Sequence, residues 1–217
     1  MTSGKNRGYS LLEMMIVLAI IIILSSFAVF RMQTVLNQQH LDTAYDTTLS
    51  TLRNARYQAI AQSHEYVVTF NPAGTIQVLW QPPLPPAPAP QVCPAVQVAS
   101  NYTLPADITY AVRVGFPNAA ATVPDGFGVG AQAIDFGYLP TGGLGGLNAI
   151  AFMPDGSARI SAADTCTGLE NYNSGVIYLT RAAGTIFDSR AITVWGTTGR
   201  IRGWRLDSTG GGTWMQQ

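Results

Sequence analysis

The chain has 217 residues, of which 47% are hydrophobic and only 11% are charged. Its 12 cations balance 12 anions, which excludes the strongly basic or strongly acidic body that would mark a polyelectrolyte partner. The length leaves room for one membrane helix and one outer domain of about 150 residues, a common domain size.

The N-terminus combines a short polar leader, residues 1–8, with a long apolar run. Lys5 and Arg7 are the only charges of the leader, and the run Leu11–Phe30 is almost unbroken. As a helix this run would be about 30 Å long, which matches the hydrocarbon core of a bilayer. Because the cations precede the run, a cytoplasmic leader and an outer domain beyond Phe30 are predicted. A secretory signal peptide would be shorter and end in a cleavage site of small residues, so the run is expected to be retained.

Glu13 is the one acidic residue of the apolar run. A lone carboxylate at bilayer depth costs about 2.5 to 3.5 kcal/mol on insertion scales and usually marks a function or a partner. Near the cytoplasmic boundary the side chain could also reach the headgroups, and the residue would then have no special role. The residue pattern alone leaves both interpretations open.

The leader ending at Gly8, the aromatic Tyr9, Glu13 four residues later and the apolar helix together resemble type IV prepilins and the pseudopilins of type II secretion systems. The resemblance implies that a prepilin peptidase cuts between Gly8 and Tyr9 and methylates the new amino group. It also implies that Glu13 neutralises the amino terminus of a neighbouring filament subunit, the pairing that a buried carboxylate requires. This chain departs from the pattern in having Tyr instead of the commoner Phe and no proline in the middle of the helix.

Glycine and proline divide the chain after Asn71. Between Tyr9 and Asn71 there is neither, whereas all 13 prolines follow. A helical first part and a second part of strands and turns are therefore predicted. Beyond the membrane run of residues 9–30, the helix is expected to continue as an amphipathic helix over residues 31–64. Its apolar stripe consists of Leu41, Ala44, Tyr45, Leu49 or Thr48, Leu52, Ala55 and Ala59.

The second part is predicted to be an antiparallel β domain, residues 65–206, against which the long helix packs in an α+β fold. The expected strands are EYVVTF, TIQVLW, ITYAVRV, AIDFGYL, AIAFM, ARIS, GVIYLT, AITVWG and RIRGWRL, with a hairpin at residues 154–156. The proline-rich residues 82–94 are expected to form an extended surface loop, either a stiff connector or a docking segment. Residues 207–217 are expected to be a flexible tail.

Three segments of the β domain resemble the GspH/FimT-like group of minor pilins and pseudopilins. They are NARYQAIAQSHEYVVTF, the hairpin IAFMPDGSARI and the closing ITVWGTTGRIRGWR. The resemblance implies a low-abundance subunit that lies at or near the filament tip and helps to start assembly. Its partners would be other pilin subunits, the prepilin peptidase, an inner-membrane assembly platform and, before assembly, membrane lipid. The proline-rich loop and residues 139–148 are interpreted as insertions peculiar to this chain.

Arg200, Arg202 and Arg205 are the one concentration of like charge. On a strand, Arg200 and Arg202 share a face, and Trp204 nearby would offer a stacking platform. Some DNA-uptake minor pilins of this group hold DNA with a Gly-Arg-x-Arg motif, which residues 199–202 match. The preferred alternative is that an edge strand carries outward arginines that prevent edge pairing and meet acidic neighbours.

No metal, cofactor or catalytic activity is predicted. His40 and His64 have no second ligand at metal spacing, and the glycine-rich residues 126–131 lack the strand and helix of a dinucleotide site. Cys93 and Cys166 could form a disulfide in the periplasm, although nothing in the sequence shows that they approach each other.

The predicted function is a structural minor subunit of a secretion pseudopilus or a type IV pilus. The subunit would cross the cytoplasmic membrane once, with its β domain in the periplasm, before it enters the filament. A DNA-binding minor pilin is the second hypothesis. A membrane-tethered periplasmic enzyme or binding module is the third.

Overall fold

The computed structural model divides into two compact units, residues 1–39 and 40–217, and the boundary falls inside the single long helix α1 (Leu11–Gln62). The structure describes residues 9–82, 95–117, 119, 122–128, 132–138, 147–160, 172–209 and 212–217. The predicted proline-rich loop from residue 83 onward, both cysteines and residues 139–146 lie outside the described residues.

The first unit contains the N-terminal part of α1. Every large apolar side chain described between Leu11 and Phe27 is at least 46% exposed within the chain. In the part of the chain that the structure describes, no helix combines the length and the apolar content that crossing a membrane requires.

The second unit begins with the C-terminal part of α1, whose predicted apolar stripe is confirmed. The stripe residues Leu41, Ala44, Tyr45, Thr48, Leu52, Ala55 and Ala59 are buried, as is Thr51, whereas Leu49 is only partly buried. Thr48 is tolerated in the core because its hydroxyl donates to the carbonyl of Ala44 at 2.8 Å. The helix ends where Ser63 adopts a left-handed backbone, φ 57°, and the N–H of His64 turns back to the carbonyl of Ala59.

Eleven described strands follow α1 and form two antiparallel sheets. They are β1 (Tyr66–Asn71), β2 (Thr75–Trp80), β3 (Gln97–Thr103), β4 (Ile108–Tyr110), β5 (Ile134–Tyr138), β6 (Ala149–Phe152), β7 (Ala158–Arg159), β8 (Ser174–Arg181), β9 (Ser189–Trp195), β10 (Arg200–Asp207) and β11 (Thr213–Gln216). The first sheet has the order β3-β2-β1-β6-β7 and the second the order β11-β10-β9-β8-β4, with β5 also paired to β8. The predicted α+β fold, a helix packed on an antiparallel β domain, is confirmed.

The main core lies where the helix stripe meets one face of each sheet. Phe70 and Ile76 come from the first sheet, Ile177 and Ile192 come from the second, and all four are fully buried. Alanines in the stripe let the helix backbone approach these larger side chains closely. The predicted hairpin is also confirmed, because β6 and β7 pair across the turn at residues 154–156. Hydrogen bonds from Ser157 to the Asp155 carboxylate close this turn and lower the pKa of Asp155.

A second core covers the opposite face of the second sheet. The chain after β4 folds over this face, and its Phe116 and Phe127 pack with Val176, Tyr178 and Leu206. Strand β8 is therefore buried on both faces, which accounts for its continuous apolar sequence.

The prediction of a flexible tail over residues 207–217 is wrong, because β11 pairs with β10 within this segment. The Trp214 ring lies 5.8 Å from the ring of Phe116 and 5.5 Å from that of Tyr178, so the second core holds the C-terminus in place. Strand β3 was not predicted, since its sequence QVASNYT is largely polar and exposed at the sheet edge. The predicted strand ITYAVRV is confirmed only over its first three residues, Ile108–Tyr110.

Candidate functional site

The N-terminal part of α1 presents apolar side chains on all sides. Tyr9 is 79% exposed, and Glu13 lies exposed in the first helical turn, where the helix dipole favours a negative charge. A helix that is apolar all round is stable only when lipid or other helices cover it. This segment is therefore an interaction surface. Gly8, the other half of the predicted cleavage site, lies outside the described residues.

Arg202 is engaged inside the domain rather than presented to solvent. Its Nη1 contacts Oδ1 of Asp125, whose side chain is only 4% exposed. The other oxygen of Asp125 accepts a hydrogen bond from the hydroxyl of Thr193 at 2.6 Å. Trp204 donates its indole N–H to the same hydroxyl at 3.0 Å, so the predicted stacking platform is part of this network. Asp125 has a left-handed backbone, φ 53°, a conformation that aspartate adopts more readily than most residues.

The prediction that the arginines lie on an edge strand is wrong, because their strand, β10, lies between β9 and β11. The arginines of β10 do not form one surface either. Successive residues of a strand point to opposite faces, so Arg205 lies on the face opposite Arg200 and Arg202. Of these three, Arg200 and Arg205 are exposed.

Arg200 lines a cleft that sequence reasoning missed. The cleft has a volume of about 510 Å³ and is lined by Arg53, Arg56, Thr198, Gly199, Arg200 and Ile201; we call it the arginine cleft. Two of its arginines come from α1, and the third, Arg200, is the first residue of β10. In the sequence, the one indication of this cleft was the spacing of Arg53 and Arg56, which makes them neighbours on the helix surface.

Arg56 joins the turn of the β6–β7 hairpin to the turn that precedes β10. Its Nε donates to the carbonyl of Gly156, and its Nη2 donates to the carbonyl of Thr198, both at 3.0 Å. Gly199 has φ +59°, and a Cβ added there would lie 2.0 Å from the Gly156 oxygen. The glycine of the Gly-Arg-x-Arg sequence is therefore required by this close backbone contact. The motif has a structural role whether or not it binds a ligand.

His40 contacts a carboxylate rather than a metal-ligand set. Its Nδ1 lies 3.0 Å from Oδ1 of Asp107. In the described ranges, no three side chains of histidine, cysteine, aspartate or glutamate lie close enough to hold a metal ion.

The geometry defines an α+β protein with an exposed apolar helix at its N-terminus. A family model, the prokaryotic N-terminal methylation motif, matches residues 3–29 and does not extend into the β domain. The chain thus carries the type IV prepilin-like signal, which fits a pilin or a pseudopilin and implies a membrane anchor. The same motif points to a structural subunit rather than an enzyme, with a prepilin peptidase and other pilin subunits as partners. A search of curated proteins and a search of solved structures each gave no match.

Proposed function

We propose that the chain is a minor subunit of a type II secretion pseudopilus or a type IV pilus, acting at or near the tip to start assembly. The observation that carries the proposal is the methylation motif at residues 3–29 joined to an apolar helix with exposed side chains. The subunit crosses the cytoplasmic membrane once until a prepilin peptidase cuts between Gly8 and Tyr9. The minor role rests on the resemblance of the β domain to the GspH/FimT-like group.

Glu13 supplies the electrostatic step of assembly. In lipid its lone carboxylate costs about 2.5 to 3.5 kcal/mol. Residues 9–30 contain no lysine, arginine or histidine. The amino group at Tyr9 is therefore the only cation that the processed apolar run of a neighbouring subunit brings to Glu13. When helices leave the bilayer and pack together, apolar contacts replace lipid and this ion pair replaces the lone charge.

The first experiment is the intact mass and N-terminal sequence of the chain coexpressed with a prepilin peptidase. A chain that begins at methylated Tyr9 is the expected product. A chain that still begins at Met1, or one cut near Ala28, would contradict the proposal.

The second experiment compares Glu13→Gln with Asp46→Asn, a matched loss of one exposed carboxylate on the same helix. Both variants should be inserted and processed. Only Glu13→Gln should be missing from sheared filaments, because only that carboxylate pairs with an amino terminus. Equal amounts of both variants in filaments would refute the role of Glu13.

DNA binding stays the second hypothesis, but fewer arginines are available to contact DNA than the sequence suggested. Arg202 is paired with Asp125, and Arg205 lies on the other face of the sheet. The exposed Arg200 and its place in the arginine cleft are the observations that still favour it. Loss of DNA binding in Arg200→Ala, with the melting temperature unchanged, is the outcome this hypothesis requires. A tethered enzyme, the third hypothesis, has no such observation in its favour.

A further inference from the structure

We propose that the arginine cleft and the adjoining face of α1 form a docking surface for a partner protein that brings a carboxylate into the cleft. On the same face of the helix, Tyr57 and Ile60 would contact an apolar side chain of that partner. The inference goes beyond the proposed function, because it depends on the β domain and not on the entry of the helix into a filament.

The arginines of the cleft have no carboxylate partner within the described residues. Four arginines form ion pairs within the domain, namely Arg159 with Asp155, Arg181 with Asp188, Arg190 with Asp42 and Arg202 with Asp125. Within the described residues, the guanidinium groups of Arg53 and Arg200 have no such partner, and no carboxylate lines the cleft. Because these cations are not neutralised within the domain, the cleft attracts an anion from outside the chain.

One guanidinium group of the cleft, that of Arg56, is held in place by the backbone. Arg56 uses Nε and Nη2 on the carbonyls of Gly156 and Thr198, which leaves its Nη1 donors for a ligand. Arg53, which comes from α1, and Arg200, which comes from β10, are both exposed. A planar carboxylate is the anion that a guanidinium binds with two parallel hydrogen bonds.

The surface beside the cleft is apolar. Tyr57 is 70% exposed and Ile60 is 45% exposed, and neither belongs to the stripe that α1 buries in the core. The spacing of Arg53, Tyr57 and Ile60 places them in one row on the helix. The Cδ1 atom of Ile60 would lie 3.1 Å from a Cβ at Gly156, so this row reaches the turn that Arg56 holds. Tyrosine and arginine are the residue types that dominate the centres of protein interfaces.

A protein fits this surface better than a nucleic acid. Nucleic-acid affinity comes largely from the number of phosphates that lysines and arginines neutralise, and the cleft offers three arginines on a chain of zero net charge. An exposed isoleucine beside the cleft has no counterpart in a phosphate backbone. The observations therefore favour a carboxylate carried on a partly apolar protein surface.

The test is fluorescence polarisation with the full-length chain in detergent micelles and three labelled probes. The probes are a short glycine- and serine-based peptide with glutamates around one leucine, the same peptide with glutamines, and a single-stranded DNA of equal length. We expect the glutamate peptide to bind and the glutamine peptide not to bind. The double variant Arg53→Gln/Arg200→Gln should weaken binding about tenfold and Tyr57→Ser several-fold. Arg205→Gln, an exposed arginine on the same strand but the other face, should have no effect.

Three results would overturn the proposal. One is DNA binding that depends on Arg53 and Arg200 but not on Tyr57, which would assign the cleft to nucleic acid. The others are failure of the glutamate peptide to bind and binding that no variant weakens. Thermal unfolding of each variant separates lost binding from lost folding.

Discussion

Asp125 is the residue whose replacement tests the second core most directly. Its carboxylate is 4% exposed and contacts Arg202, whose side chain is 22% exposed. Asparagine keeps the shape of the side chain and tolerates the left-handed backbone, so Asp125→Asn removes the charge and replaces one acceptor oxygen by a donor NH₂ group. Breaking a buried ion pair by removing one partner costs about 3 to 5 kcal/mol. Because Arg202 keeps some contact with water, we expect the lower end, about 3 kcal/mol.

For a domain of this size, about 3 kcal/mol corresponds to a fall of roughly 6 to 12 °C in the melting temperature. Tryptophan fluorescence is a suitable probe, since Trp204 and Trp214 both pack against the second core. Arg205→Gln, an exposed position on the same strand, is the control and should change stability by less than about 0.5 kcal/mol. If Asp125→Asn melted at the temperature of this control, the ion pair could not be what holds residues 122–128 on the second sheet.

Two further variants test the backbone and the electrostatics of the β domain. Gly199→Ala should cost about 1 to 3 kcal/mol through its close backbone contact, in addition to about 1 kcal/mol of strain from its positive φ. Gly115→Ala, at φ +91° in open space, should cost only about 1 kcal/mol of strain, so equal melting temperatures would contradict the contact. Burial alone would raise the pKa of Asp188, but hydrogen bonds from Thr185 and Arg181 outweigh it and hold that pKa below its usual range. As the pH falls, Asp188 is therefore protonated at a higher pH in the unfolded state than in the folded state. The stability that its carboxylate contributes is complete above about pH 4 and is lost as the pH falls further. Chemical denaturation at neutral pH and about pH 3 should show a smaller acid loss for Asp188→Asn than for the wild type, and an equal loss would show that this carboxylate does not contribute.

Local sequence patterns were sufficient to predict those parts of the structure that depend on residues close together in the sequence. The stripe from Leu41 to Ala59 was predictable because a helix repeats every 3.6 residues and must bury its apolar side. The hairpin at residues 154–156 followed from turn chemistry, since glycine takes the positive φ that the turn needs. The methylation motif is likewise a contiguous pattern, and the family model matches it at residues 3–29.

The arginines of β10 show what such patterns cannot predict. Strand alternation correctly separates Arg205 from Arg200 and Arg202, but it does not reveal what covers each face. Asp125, which pairs with Arg202, is separated from it by 77 positions. Arg53 and Arg56, which complete the arginine cleft with Arg200, come from a helix near the other end of the chain. No spacing rule links residues so far apart.

The sequence by itself determined the class of protein. A leader, a glycine, a glutamate at fixed spacing and an apolar run form one contiguous pattern, which the family model matches at residues 3–29, so no fold is needed to recognise it. Only the tertiary structure decided which charges are available to partners. Whether a guanidinium is neutralised or free depends on side chains brought together by sheet pairing and by the chain that crosses the second sheet, and those contacts exist only after folding.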